Sequence, residues 1–468
     1  MRSDQNTFRA GAAARDLTPD PKLVDNTRHA NMSVRFDEIG SPLQVKSLTL
    51  AFGQRHCLLL SLDIVYVPSR HAAQMRAAVA EATGLAADDV VIAASHSHST
   101  PFLEPLDEPH PYFDFVLRQT VDAAVESTRA MQPATIGHAV AHAAGASFNT
   151  REPLPDGGVK FIRNFHEASA GRPIDPRLNV LRIDDERAKP IAAWVRFAAH
   201  PACVIFDAPM SAEYPGYLTE ALSRSLEGAP VLFGYGASGD VNCIPMFGSE
   251  DDSRRLGEKL ADVALPSITS IRTQSPRRFL AATRTIELPL DPPPSSEALT
   301  REIAEIEQFI AALDANPQLE WVLGINCGTS WSAEKKKRHV KPLADWARRA
   351  LAMVEGGHNS PKTWQRRVTV WNLDDMAIVF ESGETLVDVS LALAARTPLA
   401  DTLLISLAGG TDAYLGDDED RRRGGYETYT STRYALLQDG FRPLPYALGA
   451  SERFVGGILQ MIHDLIGK

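Results

Sequence analysis

From about residue 43 to 275, short apolar runs with strand character alternate with segments whose apolar residues recur at helical spacing. "SLTLAFG" and "CLLLSLDIVYV" are followed by "SRHAAQMRAAVAEATG", whose alanines and spaced apolar positions predict a helix ended by Gly84. "DVVIAAS" follows as a strand, then a helical pattern over 112–131. "ATIGHAVAHA", "LNVLRIDD" and "PIAAWVRFAAH" read as strands, "GYLTEALSRSLEG" as a helix and "PVLFGYG" as a strand. This alternation predicts an α/β layer structure, a mixed-sheet core with helices packed around it.

The pattern changes near 291. "DPPPSSE" breaks the chain, and the next segment places Leu299, Ile303, Ile306, Phe309, Ile310 and Leu313 along one helical face. "VKPLADWARRALAMVEGG" reads as a second helix ending at a glycine pair, and "EKKKRH" at 334–339 as a solvated linker or helix face. Strand patterns return at "QRRVTVWNL", "MAIVFESGE" and "DTLLISLAGG". Residues 291–365 are therefore expected to be a helical insertion in one unit spanning 1–468. No internal repeat of fixed period is visible.

Polar residues of one kind recur where these strands end. His96 and His98 follow "VVIAAS", His200 ends "AAWVRFAA", Glu384 follows "MAIVFESG", and Tyr414 comes soon after "TLLISLAGG". Asp63 closes "LLLSL", and Asp240 lies in "GYGASGDVN" after "PVLF". In α/β sheets, ligands bind beyond the carboxyl ends of strands, where loops place chemistry on a rigid frame. The His-x-His pair by itself leaves open a metal site, a shared proton or loop decoration. Joined by a further histidine and a carboxylate, it suits Zn²⁺ with an open coordination position. Asp63 and Asp240 are expected either to orient ligating imidazoles or to cap loops. The segment "HSHSTPFLEP" lacks the Asp-His that follows such a pair in metallo-β-lactamases. Amidohydrolase barrels place the pair after their first strand, whereas two strand candidates precede it here. No HExxH, GxSxG or Walker loop is present.

Composition narrows the partners. A net charge of −11 argues against nucleic acid or an anionic membrane surface. The four cysteines, Cys57, Cys203, Cys243 and Cys327, lack CxxC spacing and are expected as free thiols. No apolar stretch has the length of a transmembrane segment, and the start "MRSDQNTFRAGAAARD" has no apolar signal region. A cytoplasmic protein is expected.

Five segments together resemble the neutral (non-lysosomal) ceramidases, zinc amidases acting on N-acylsphingosine. "GAAARDLTP" resembles the family's N-terminal Gly-Ala…Asp-Ile-Thr element, and "ASHSHSTP" its Ala-Thr-His-Thr-His-Ser segment. "RFAAHPACV" is similar to the stretch with its second zinc histidine, and "FESGETLVDVS" to its Pro-Gly-Glu segment. "SLAGGTDAYLGDDEDRRRGGYETYTS" resembles its Gly-Leu-x-Asn…Tyr…Tyr-Glu region. The similarity is scattered over most of residues 9–431, in the family's order.

The resemblance implies a single catalytic domain with zinc on His96, His200, Glu384 and Tyr414. The tyrosine ligand comes from the resemblance alone. It also implies that His98 exchanges protons near the metal, and that Arg151 (in "SFNTREP") and Tyr426 (in "GGYET") donate to the carbonyl oxygen. One departure falls at the substrate site, where the family's Gly-Asp-Val-Ser-Pro reads "GDVNCIP". Asn242 replaces the serine, so substrate contacts should differ. The chain also ends without room for the immunoglobulin-like domain of longer members. The expected reaction is zinc-dependent hydrolysis of a linear amide in a ceramide-like lipid or related N-acyl amine. Its rivals are a zinc hydrolase of an ester, lactone or phosphoester, and a non-catalytic metal- or lipid-binding relative.

Overall fold

The strands Arg55–Leu62 and Val90–Ala94 are buried on both faces, as the period of two requires when each face meets a different layer. Leu58, Leu60, Leu62, Val90 and Ile92 join one apolar cluster, while Cys57, Leu59, Val91 and Ala93 join another. The computed structural model describes residues 7–24, 34–103, 111–169, 171–205, 208–323, 325–326, 331–357, 360–437 and 444–467.

Eight strands make the larger sheet: β1 (Phe8–Asp16), β2 (Gln44–Phe52), β3 (Arg55–Leu62), β4 (Val90–Ala94), β5 (Gln132–His142), β6 (Arg177–Asp185), β7 (Pro190–Phe197) and β8 (Val231–Tyr235). Their spatial order is β8-β7-β6-β5-β1-β2-β3-β4. The outermost pair at each edge is parallel and the pairs between are antiparallel, so the sheet is mixed. A second sheet takes β9 (Phe279–Pro289), β10 (Thr363–Leu373), β11 (Met376–Glu381) and β12 (Asp401–Ile405) in that order, with β11 and β12 parallel.

The two sheets pack face to face. Leu59, Val91, Trp194 and Leu232 from the larger sheet share a cluster with Trp371, Ile378, Phe380, Leu403 and Ile405 from the smaller. On the larger sheet's other face lie helices Ser69–Thr83, Pro111–Arg129, Glu213–Ser225 and Glu250–Ser270, through Met75, Val116, Leu218 and Leu260 among others. The smaller sheet's outer face is covered by helices Val387–Arg396 and Ala450–Ile466, through Leu393, Phe454, Ile458 and Ile462. The result is a four-layer α/β/β/α arrangement. It has the α/β class and mixed sheet that the pattern predicts, with a second sheet that the pattern does not separate from the first.

Between the paired strands β9 and β10 the chain makes its helical detour. Helices Ser296–Ala312 and Ala333–Glu355 begin where the Ser295 and Ser332 hydroxyls accept from Ala298 N and Lys335 N. They pack Ile306, Phe309 and Leu313 against Val340 and Leu343. Arg433 ties them to the rest of the chain, pairing with Glu302 at 2.8 Å and lying 4.9 Å over the Trp346 ring. The "EKKKRH" run is mostly the first turns of the second helix, but Lys336 departs from a solvated reading. It is fully buried and donates to Pro317 O and Leu319 O at 2.6 and 2.9 Å. Cys57, Cys203 and Cys243 are buried free thiols, and Cys327 lies outside the described residues. Among the described residues no helix is long and apolar enough to cross a membrane.

If the sheet-to-sheet layer holds the fold, Phe380→Ala should be costly. Phe380 is buried there, 4.9 Å from the Trp371 ring. The expected loss is about 3–5 kcal/mol, read as a lower urea midpoint, whereas Phe161→Ala, at an exposed position of the hairpin 151–161, should change it by under about 0.5 kcal/mol. Equal shifts in the two variants would remove the layer from that role.

Candidate metal centre

Strand ends from both sheets converge at one place. His96 lies two residues past β4, His200 three past β7, and Glu384 three past β11. The segment after β12 stitches these ends together through its backbone. Ser406 N donates to Tyr235 O at 2.9 Å, Leu407 N to Gly383 O at 2.9 Å, Ala408 N to Glu381 O at 2.8 Å and Gly409 N to Ile92 O at 2.6 Å. In return, Ala94 N donates to Leu407 O at 3.1 Å. Glu384 and Tyr414 are direct partners in a short parallel pairing. Gly239 makes room for the tyrosine, since a Cβ there would stand 2.8 Å from the Tyr414 ring.

Each imidazole is fixed from behind. His96 Nδ1 is 2.7 Å from Val65 O, and His200 Nδ1 is 2.7 Å from Ser238 O and 3.0 Å from the Tyr235 hydroxyl. A carbonyl at Nδ1 selects the Nδ1–H tautomer and leaves the Nε2 lone pair facing forward. Both lone pairs face the same carboxylate: Glu384 Oε2 is 3.3 Å from His96 Nε2 and 3.4 Å from His200 Nε2. That oxygen is buried and satisfies no hydrogen bond. His98 Nε2 lies 3.3 Å from His96 Nε2, and ligand atoms of His96, His98 and His200 all lie within 4.8 Å of one another. Inward-facing nitrogen lone pairs around an unsatisfied carboxylate oxygen form a donor set that a cation completes, and imidazole with carboxylate suits zinc. The residues fit the metal.

The electrostatics agree with that arrangement. Burial opposes ionisation of Glu384, but the imidazoles of His96 and His200 outweigh it and hold the carboxyl well below its ordinary range. Burial, and after it the closeness of His96 and His200, holds His98 well below its usual value, so its ring is neutral. Burial and then the Glu384 carboxylate push the Tyr414 phenol well up. His96 itself has a left-handed backbone, φ 67°, a conformation that a bulky residue adopts at an energetic cost.

The remaining predicted residues sit around this centre in different ways. Tyr426 is 41% exposed, with its ring 6.0 Å from that of Tyr414. Asn242 is paired in backbone register with His200, is buried, and keeps its Oδ1 without a partner. Arg151 is fully buried and heavily committed. It donates to Asp420 Oδ1 at 3.2 Å, to Asp420 O at 3.1 Å, to Gly424 O at 2.8 Å and to the Glu427 carboxylate. Its guanidinium thus clamps the segment that carries Tyr426.

Asp63 and Asp240 orient neither imidazole. Asp63 Oδ2 accepts from Gln44 N at 3.0 Å and lies 3.8 Å from Lys46 Nζ. Asp240 accepts from Val387 N at 2.8 Å and from Asn149 Nδ2 at 2.6 Å, and burial with the nearby Asp420 pushes it up to about 7. Of the two expectations for these residues, the loop-holding one describes them. Two neighbours of the centre went unread in the sequence. Tyr235 ends β8 inside an apolar run, and Glu381 sits inside "FESGE" looking like part of a strand. Glu381 mounts the Glu384 turn by accepting from Arg366 at 2.7 Å, Gly383 N at 2.6 Å, Thr385 Oγ1 at 3.0 Å and Ser406 Oγ at 2.9 Å.

Two solved structures share this architecture over nearly the whole chain. One is the neutral ceramidase from Pseudomonas aeruginosa, with a TM-score of 0.66 and 13% identity, covering 99% of this chain and 75% of that one. The other is a ceramidase complexed with C2, with a TM-score of 0.69 and 13% identity, covering 99% and 76%. No family model matches the sequence, and no curated protein does. The chain has the fold of the neutral ceramidases.

Proposed function

We propose that this chain is a zinc-dependent hydrolase that cleaves the linear amide bond of an N-acyl amine. The observation that supports it most is the meeting of His96 Nε2, His200 Nε2 and the unsatisfied Glu384 Oε2, with both Nδ1 atoms held from behind. His96, His200, Glu384 and the Tyr414 phenol would hold the zinc, which would supply Lewis acidity toward water and the carbonyl. His98, neutral and beside His96, takes up a proton and returns it to the leaving nitrogen. Tyr426 presents a half-exposed phenol that donates to the carbonyl oxygen as negative charge develops. Arg151 holds the Tyr426 segment with four hydrogen bonds, and one of its five N–H groups remains for the same oxygen. Asn242 offers a buried acceptor beside His200 to a donor group on the substrate. A small amide or lipid-like molecule of the ceramide type is the substrate class.

Metal content tests the centre. The purified chain should hold about one zinc, by elemental analysis, and lose activity to a strong chelator. His96→Ala and His200→Ala should each lose the metal; full occupancy in both would mean that these are the wrong histidines. His98→Ala should instead keep its zinc and turn over roughly a hundredfold more slowly. Equal metal loss in His96→Ala and His98→Ala would make both residues ligands.

Position 242 tests the substrate. A site built around an amide discriminates against a partner that leaves its buried acceptor unpaired. Ceramide should therefore be a poorer substrate than some other N-acyl amine, and Asn242→Ser should shift kcat/KM toward ceramide with zinc content unchanged. Efficient ceramide cleavage that is the same in both proteins would separate residue 242 from specificity. Faster cleavage of matched esters than amides would replace the amidase reading with an esterase one.

A further inference from the structure

One buried carboxyl beside the centre takes no part in the reaction described above. Glu213 is fully buried, and among the described residues no basic side chain pairs with it. Its backbone is left-handed, φ 51°, at the first residue of the helix Glu213–Ser225. A carboxyl in such surroundings is costly to keep and is retained only where its oxygens are used.

Both oxygens are used, and on different loops. Oε1 accepts from the peptide N–H of His98 at 3.0 Å and, at 3.3 Å, shares the single Ser97 hydroxyl proton with Ser211 O. Oε2 accepts from Val204 N at 3.2 Å, four residues beyond His200. Further bonds brace the same junction. Ser97 Oγ donates to Ser211 O at 2.7 Å, Ser99 Oγ donates to Val204 O, and Glu213 N donates to Ser211 Oγ at 2.9 Å. The His98 peptide N–H also reaches Pro201 O at 3.4 Å. The carboxyl thus spans the turn that carries His98 and the loop that follows His200.

We propose that Glu213 is a positioning residue that fixes the His98 imidazole relative to the metal centre by binding both loops at once. The proposal rests on the reading of His98 as the proton carrier. Only a carboxyl offers an acceptor to each loop. An amide keeps one acceptor and turns an NH₂ group against the other peptide N–H. Losing one span frees His98 to shift, and displacement of a reacting group by about 1 Å is enough to cost up to roughly a hundredfold in rate.

A double-mutant cycle on the zinc-loaded protein tests this, with kcat, KM, zinc content and melting temperature measured for Glu213→Gln, His98→Ala and the pair. The expected result is a roughly tenfold or larger fall in kcat for Glu213→Gln, with KM and zinc content little changed. In the His98→Ala background the same substitution should lower kcat less than about twofold, because a residue acting through His98 has nothing left to position. Full additivity, or an unchanged kcat in Glu213→Gln, overturns the proposal while leaving the hydrolase reading intact. Normal turnover in His98→Ala overturns the proton-carrier reading and the proposal with it. Should Glu213→Gln fail to fold, Ser97→Ala replaces it in the cycle. It removes one donor to Oε1 and should give a smaller fall in kcat that likewise vanishes in the His98→Ala background; additivity there counts against the proposal equally.

Discussion

The centre depends on a backbone seam. Residues 406–409, just past β12, hydrogen-bond to Tyr235 and Ile92 of the larger sheet and to Glu381 and Gly383 of the smaller one. Two face-packed sheets are held mainly by non-directional apolar contact, which tolerates sliding. Directional bonds at one end remove that freedom where it matters. The seam sets Ala94, two residues before His96, and Gly383, one residue before Glu384, on opposite sides of a single strand-like segment. The spacing of imidazole and carboxylate is therefore inherited from main-chain geometry, which varies less than side-chain geometry. Leu407 at φ 52°, Gly409 at 103° and Gly410 at 144° show how sharply the segment bends to serve both sheets.

Around that frame, buried charge is handled in matched sets. Arg366 pairs with Glu381 behind the Glu384 turn, and Arg151 pairs with Asp420 and Glu427 behind the Tyr426 segment. Such pairs add little net stability, because desolvation offsets most of their attraction, but breaking one leaves a buried charge exposed to nothing. Their effect is to make the two turns all-or-none. The centre lacks this matching: Glu384 Oε2 faces two imidazoles and has no hydrogen bond of its own. A buried carboxylate oxygen that faces imidazole nitrogens rather than an arginine is what a cation site looks like from its protein side.

The α/β class was legible because strands buried on both faces read as continuous apolar runs, and "CLLLSL" and "VVIAA" do. His96, His200 and Glu384 were legible because each directly follows such a run. The second sheet was not, since β10 and β11 carry the same two-faced pattern as β3 and β4, and the partner on the far side leaves no mark in the sequence. Lys336 was misread for a related reason. Glu334 and Arg338 of the "EKKKRH" run are exposed, and the carbonyls of Pro317 and Leu319 draw Lys336 inward between them. Asp63 and Asp240 stand at strand ends as His96, His200 and Glu384 do, yet the groups they hold, Gln44 N and Val387 N, lie elsewhere in the chain.

Backbone strain marks what the strand pattern could not. His96 and Glu213 are both non-glycine residues in the left-handed region. Glycine would relieve the strain at either position, and glycine is the residue by which a sequence ordinarily announces such a turn. It would also delete the imidazole that faces Glu384 or the carboxyl that joins His98 to Val204. Each position therefore keeps a side chain against its own conformational preference, on the two sides of the same junction of loops. Strain of order 1 kcal/mol or more at each persists only where the surrounding bonds over-determine the backbone, and here they do. His96 N is held by Ile64 O at 3.0 Å, and Glu213 N by Ser211 Oγ at 2.9 Å. The chemistry of the centre is thus written in side chains that the local backbone alone would not have chosen.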